Sequence, residues 1–226
     1  MLIMTGYNAP LLDSDVNVAK KMFDVNVFAV IEVTKAFAPL LIASKGTIVN
    51  IGSIVGHFPL PCKSIKPFID ISHQLRFRSV FLSSPAGFKL MILFPGSGYY
   101  NATKAAVNLL SEQLRLELAP FDVNAINVTT GVVSSKFFKN AHGSKLPINS
   151  LYAPAKDIIE PTMDGEGLEM TDVDAYAAAV VKNTLKSSPT KDLWVGANTF
   201  NIWFLGTFGW SSIWVICSVF HVRLHI

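Results

Sequence analysis

The chain has 226 residues, half of them hydrophobic and 15% charged, with a formal net charge of +3. That length supports one domain with a sizeable core, and the apolar balance brings a membrane contact into consideration. The charge excludes a nucleic-acid binder: residues 62–95 hold five bases (Lys63, Lys66, Arg76, Arg78, Lys89) against Asp70, and the rest holds 14 bases and 15 acids, with no aromatic platform beside them.

Two distant cysteines, Cys62 and Cys217, form no CxxC pair and at most one bridge. A reducing, intracellular setting is the default, and no metal site is expected. The opening Met1-Leu2-Ile3-Met4-Thr5-Gly6 lacks the basic flank of a signal peptide.

Residues 13–42 read as a long helix, capped by Asp13 or Ser14, with Phe23, Val27, Val30 and Phe37 at helical spacing and Pro39 in its last turn. Thr47 to Ile51, followed by Gly52-Ser53, reads as a short buried strand. Residues 54–98 fit no element; Pro59, Pro61, Pro67 and Pro85 interrupt every apolar run. A second helix runs from about Tyr100 to Leu118 with a stripe of Val107, Leu110, Leu114 and Leu118, and a strand follows from Val123 to Val128. Residues 135–170 are polar and predict a mobile flap. Thr171 or Asp172 caps a third helix to about Lys186, and Leu193-Trp194-Val195 makes a last strand. Helix and strand alternating in this order predict βαβ units and a parallel sheet.

The chemistry centres on Tyr100-Asn101-Ala102-Thr103-Lys104. Tyr and Lys at i and i+4 share a helix face, and an ammonium beside a phenol favours the phenolate, so the pair can pass a proton to a carbonyl oxygen. The competing reading is an exposed helix start with a solvated lysine. Ser53, at a strand end, can donate to the same carbonyl. Asn26, inside an apolar helix, is either a structural amide or a post for a water leading to the lysine.

Phe23-Asp24-Val25-Asn26-Val27, the run Gly46 to Gly56, and Tyr100 to Ala106 together resemble the Asn, Ser, Tyr, Lys signature of the short-chain dehydrogenase/reductase family. The resemblance covers residues 7–61 and 96 to about 210. Within the family, the chain is most similar to the NADPH-dependent 1-acyldihydroxyacetone-phosphate reductases, through Ala36 to Ile42, Leu116 to Phe121, Ser150-Leu151-Tyr152 and Asn201 to Leu205. The resemblance implies a Rossmann-like, doubly wound parallel sheet. It also implies an NADPH-dependent oxidoreductase reducing a lipid-type ketone by hydride transfer. By it, Tyr100 is the general acid, Lys104 lowers its pKa and holds the nicotinamide ribose, Ser53 orients the carbonyl, and Asn26 holds a relay water. Tyr100, Lys104, Thr130, Gly131, Val133 and Ser135 then contact the cofactor; Thr130 and Ser135 depart from the family's Pro and Thr.

Two features break the pattern. The family's opening strand, Gly-x-x-x-Gly-x-Gly turn and pyrophosphate-binding helix have no counterpart here, so the first half of the sheet is expected to be missing and the chain impaired. Ser53 also lies 47 residues before Tyr100, far more than in the family. Residues 62–95 read as a translated intron: Cys62-Lys63-Ser64 can be encoded across a GTAAGT donor, and Phe94-Pro95-Gly96 across a CAG acceptor. A genuine lid insertion is the alternative.

From Leu193 to Phe220 no residue is charged, and Trp203, Trp210 and Trp214 suit a membrane interface. Phe200–Phe220 is long enough to span a bilayer, but Asn201, Gly206, Gly209, Ser211 and Ser212 favour an interfacial helix; a core-packing helix is the other reading. The expected organisation is a partial Rossmann-like domain over 1–198, with 62–95 anomalous, and an apolar membrane-associating tail over 199–226. The subgroup implies endoplasmic reticulum membrane or lipid droplets. A homo-oligomer is allowed. A non-catalytic, membrane-associated fragment is the alternative function.

Overall fold

The computed structural model describes residues 6–57, 97–141, 145–165 and 168–208. The proposed insertion at 62–95 and the tail beyond Phe208 lie outside the described residues. The first helix begins later than expected, because Leu11–Asp13 form a separate 3-10 turn. Ser14 donates its hydroxyl back to the Pro10 carbonyl at 2.7 Å. Asp15 is the cap instead, its carboxylate accepting the Asn17 N–H at 2.7 Å.

Helix α1 spans Val16–Phe23, a π-helical turn spans Asp24–Phe28, and α2 spans Ala29–Ser44. Pro39 lies inside α2 rather than at its end. A proline removes one donor, and the Leu41 and Ile42 carbonyls still close the helix by accepting from Gly46 and Lys45. Lys45 turns left-handed there, at φ 50°.

Strand β1 is Thr47–Ile51. Helix α3, Gly98–Leu118, starts two residues before the expected Tyr100. Strand β2 is Asn124–Thr130. A short helix α4, Phe137–Asn140, and α5, Lys156–Met163, follow. Then come α6, Val173–Thr184, strand β3, Asp192–Val195, and α7, Thr199–Phe208. The sheet is parallel in the order β1-β2-β3. Val49 faces Ile126 and Thr129 faces Trp194 in register. The architecture is Rossmann-like α/β.

Burial follows from that order. Ala125, Ile126 and Val128 of the central strand are fully buried, whereas Thr47, Ile48 and Val49 of β1 are only half-buried. Val107 and Ser111 bury α3 against the sheet. Arg115 ties that helix to β3, its guanidinium meeting both carboxylate oxygens of Asp192 at 2.8 and 3.0 Å. The expected flap is partly fastened: the Asn8 amide donates to the Met163 carbonyl at 2.8 Å, and Ser150 donates to Asp13 at 2.6 Å. Met163 and Ile159 there are buried with Leu146 and Tyr152 around them.

Candidate active site

The four residues singled out for catalysis converge. Tyr100 opens α3 and is buried in a cluster with Met22, Ile54, Val55 and Ile202. Ser53 follows the end of β1 and hydrogen-bonds to Tyr100. Its Oγ also accepts the Val55 N–H at 3.4 Å, capping the 3-10 turn Ile54–Gly56. Lys104, one turn along α3, donates to the Ile51 carbonyl at 2.8 Å, and its Nζ stands 5.8 Å from the centre of the Tyr100 ring. Asn26 sits in the π turn, where the widened backbone brings its amide to Thr103 at 3.3 Å. Thr103 in turn donates to the Tyr100 carbonyl at 2.7 Å.

The electrostatics differ from the sequence expectation in one respect. The lysine was expected to draw the phenol toward phenolate. Instead burial dominates and holds the Tyr100 hydroxyl well above the usual phenol range, with the Ser53 hydrogen bond pulling it partly back. The same burial lowers Lys104 to about 7. Tyr100 is therefore a protonated phenol at neutral pH, next to an amine near its midpoint.

The loop after β2 places the remaining candidates. Gly131 passes so close to β3's exit that a Cβ there would lie 2.2 Å from the Ala197 carbonyl oxygen, which explains the glycine. Val133 pairs with Thr171. Ser135 accepts the Phe137 N–H at 3.3 Å. Thr130 turns its hydroxyl to the Val128 carbonyl at 3.3 Å and to Tyr176 at 2.8 Å. The loop reaches the tyrosine through Phe137, whose ring centre lies 5.2 Å from that of Tyr100.

Sequence reasoning missed three contributors. Thr103 was inside the quoted motif, and a threonine bonding three residues back along a helix is a recognisable pattern. Phe137 follows Ser135 by two residues but carried no motif. Tyr176 lies 46 residues from Thr130 and gave no local signal.

The short chain dehydrogenase family model matches residues 5–65 and 76–145, more than half of the chain, with its break inside the anomalous segment. The chain belongs to the short-chain dehydrogenase family. A family member from Aspergillus ruber, the short-chain dehydrogenase fogD, is 34% identical over 209 residues, covering 92% of this chain and 61% of that protein. The NADPH-dependent 1-acyldihydroxyacetone phosphate reductase of Schizosaccharomyces pombe is 33% identical over 156 residues, covering 67% of this chain and 41% of that protein. A short-chain dehydrogenase from Streptomyces avermitilis has a similar fold, with a TM-score of 0.59 at 22% identity, over 88% of this chain and 60% of that one. The chain thus spans about three-fifths of the length of the Aspergillus and Streptomyces proteins and about two-fifths of the fission-yeast reductase.

For a nicotinamide dinucleotide, the donor set present fits the nicotinamide-ribose end: a protonated phenol, a buried amine and the Gly131–Ser135 loop on one side. Among the described residues, no glycine-rich turn opens a helix to take the phosphates.

Proposed function

We propose that this chain carries the proton-transfer half of an NADPH-dependent reductase acting on a lipid-type ketone of the 1-acyldihydroxyacetone phosphate class. The observation that carries the reading is the joining of Tyr100, Ser53, Lys104 and Asn26 through one buried network. Similarity to the fission-yeast reductase supports the substrate class and the choice of NADPH.

In this reading Ser53 and Tyr100 both present hydroxyls to the substrate carbonyl oxygen. A bound dihydronicotinamide supplies the hydride. Tyr100 releases its proton to the oxygen as negative charge develops there. Tyr100 carries its proton before reaction; burial opposes its release, and the Ser53 hydrogen bond offsets part of that. Lys104 holds the ribose end and places positive charge beside Tyr100 when protonated. Asn26, through Thr103, holds the first turn of α3 in position.

The membrane reading has separate support. Phe200, Phe204 and Phe208 of α7 are exposed, and the uncharged stretch continues to Phe220. It extends the proposal to endoplasmic reticulum membrane or lipid droplets. The translated-intron reading of 62–95 remains a proposal too; sequencing the genomic codons of Cys62-Lys63-Ser64 and Phe94-Pro95-Gly96 tests it, and absence of GT and AG there ends it.

Titration with NADPH, followed by energy transfer from tryptophan to the nicotinamide, tests the function. Trp194 packs against the Tyr100 cluster and is a suitable donor. Saturable binding with turnover that Tyr100→Phe reduces at least a hundredfold supports the reductase. No binding up to millimolar cofactor favours the second reading, a non-catalytic membrane-associated protein.

A further inference from the structure

We propose that Tyr176 is a positioning residue that latches the Gly131–Ser135 loop, and so fixes the nicotinamide side of the site; this rests on the functional reading above. Thr130 is the last residue of β2, and everything the loop presents depends on how the chain leaves the strand there. The loop is fastened on two sides by backbone. Gly131 donates to the Val195 carbonyl at 2.8 Å, and Val132 bridges Ala197 at the exit of β3. On the other side Ser134 donates to the Thr171 carbonyl at 2.9 Å, while Thr171 donates to the Val132 carbonyl at 2.9 Å.

Tyr176 supplies the third attachment and the only one made between two side chains of this set. Its hydroxyl lies 2.8 Å from Thr130 Oγ1. Either hydroxyl can donate in this pair, and the threonine also lies 3.3 Å from the Val128 carbonyl. From Asp172 to Ala178, Tyr176 alone is withdrawn from solvent; its neighbours on α6 are exposed. Tyr176 thus links the start of α6 to the end of β2. Burial raises the Tyr176 phenol above its ordinary range, the Thr130 hydrogen bond offsetting part of the rise, so the phenol stays protonated across neutral and mildly alkaline pH.

Amide hydrogen exchange on the full chain tests the latch without requiring activity. Tyr176→Phe and Thr130→Val each remove the bond and nearly preserve shape. Each single variant is expected to speed exchange at Gly131, Val132 and Ser134 about fivefold, the worth of one ordinary hydrogen bond. The double variant should add nothing further, and Ile126 and Val128 should be unchanged. Unaltered loop exchange, or exchange that rises evenly along β2, overturns the proposal. NADPH titration supplies the second readout. An affinity about fivefold lower in Tyr176→Phe supports the latch; cofactor binding equal to the unsubstituted chain overturns its positioning role. If the unsubstituted chain binds no NADPH, the functional reading fails, and the exchange result alone upholds or overturns the latch.

Discussion

Lys104 carries a cost that pH can reveal. Its amine is lowered by burial to about 7, against 10.5 in an exposed lysine. Between those values the unfolded chain binds more protons than the folded one, so stability rises with pH. Above about 10 the raised Tyr100 phenol reverses the trend, because the unfolded tyrosine ionises first. Urea unfolding from pH 7 to 10 should therefore show stability increasing by up to about 1.4 kcal/mol per pH unit. Lys104→Met should flatten that rise; an equal slope in the variant would place the proton elsewhere. Gly56 makes a second, purely steric prediction. A Cβ there would lie 2.6 Å from the Lys104 carbonyl carbon and 2.7 Å from its oxygen. Backbone cannot yield as a side-chain tip does. Gly56→Ala should cost about 3 kcal/mol and displace the turn of α3 that carries Lys104; a melt matching that of the unsubstituted chain would refute it.

At the scale of elements, α6 depends on its cap. Asp172 accepts the N–H groups of Asp174 and Ala175, both at 3.0 Å. Asp172→Ala should lower stability by about 1 kcal/mol in a denaturant melt, while Asp172→Asn should lose less. This cap was readable in the sequence as one of two adjacent candidates, as were the three strands and the end of α3, because apolar period, turn residues and caps are local properties. Ser53, Tyr100 and Lys104 were readable for a similar reason: i, i+4 on a helix and a small residue at a strand end are short-range patterns. The π turn was not, since Asp24-Val25-Asn26-Val27-Phe28 has the composition of ordinary helix and only packing against α3 selects the wider turn. Nor was the direction of the Tyr100 shift. Burial is set by Met22, Ile54, Val55 and Ile202, which come from three separate parts of the chain. The Thr130–Tyr176 pair was hidden by its sequence separation.

The whole molecule leaves apolar surface uncovered. Phe28, Phe37 and Leu40 are more than half exposed along the run Val16–Ser44, and Val33 nearly so. That run is long and apolar enough to cross a membrane by length and composition. Its other side, however, buries Ala19, Met22, Asn26 and Val27, with Asn26 bonded to α3. Insertion would break that packing. An exposed stripe of this kind favours association. Sedimentation velocity should show concentration-dependent assembly that Phe37→Glu with Leu40→Glu reduces; a monomer at all concentrations would refute it. The aromatic face of α7 makes a distinct prediction. The chain should float with phospholipid vesicles, and Phe204→Ser with Phe208→Ser should lower the bound fraction severalfold. Unchanged flotation would remove α7 from the membrane reading.

The π turn has a consequence for how this part of the chain can vary. A π turn accommodates one residue more than an α turn, so α2 emerges rotated relative to a continuous α helix by about 100°. The side chains of Asp24 and Phe28 are exposed and open to exchange. The width of the turn is not. Closing the same residues as an α turn would rotate α2, with exposed Phe37 and Leu40 and buried Thr34, by about 100° against the rest of the molecule. Here the quantity under constraint is a backbone width, not a composition.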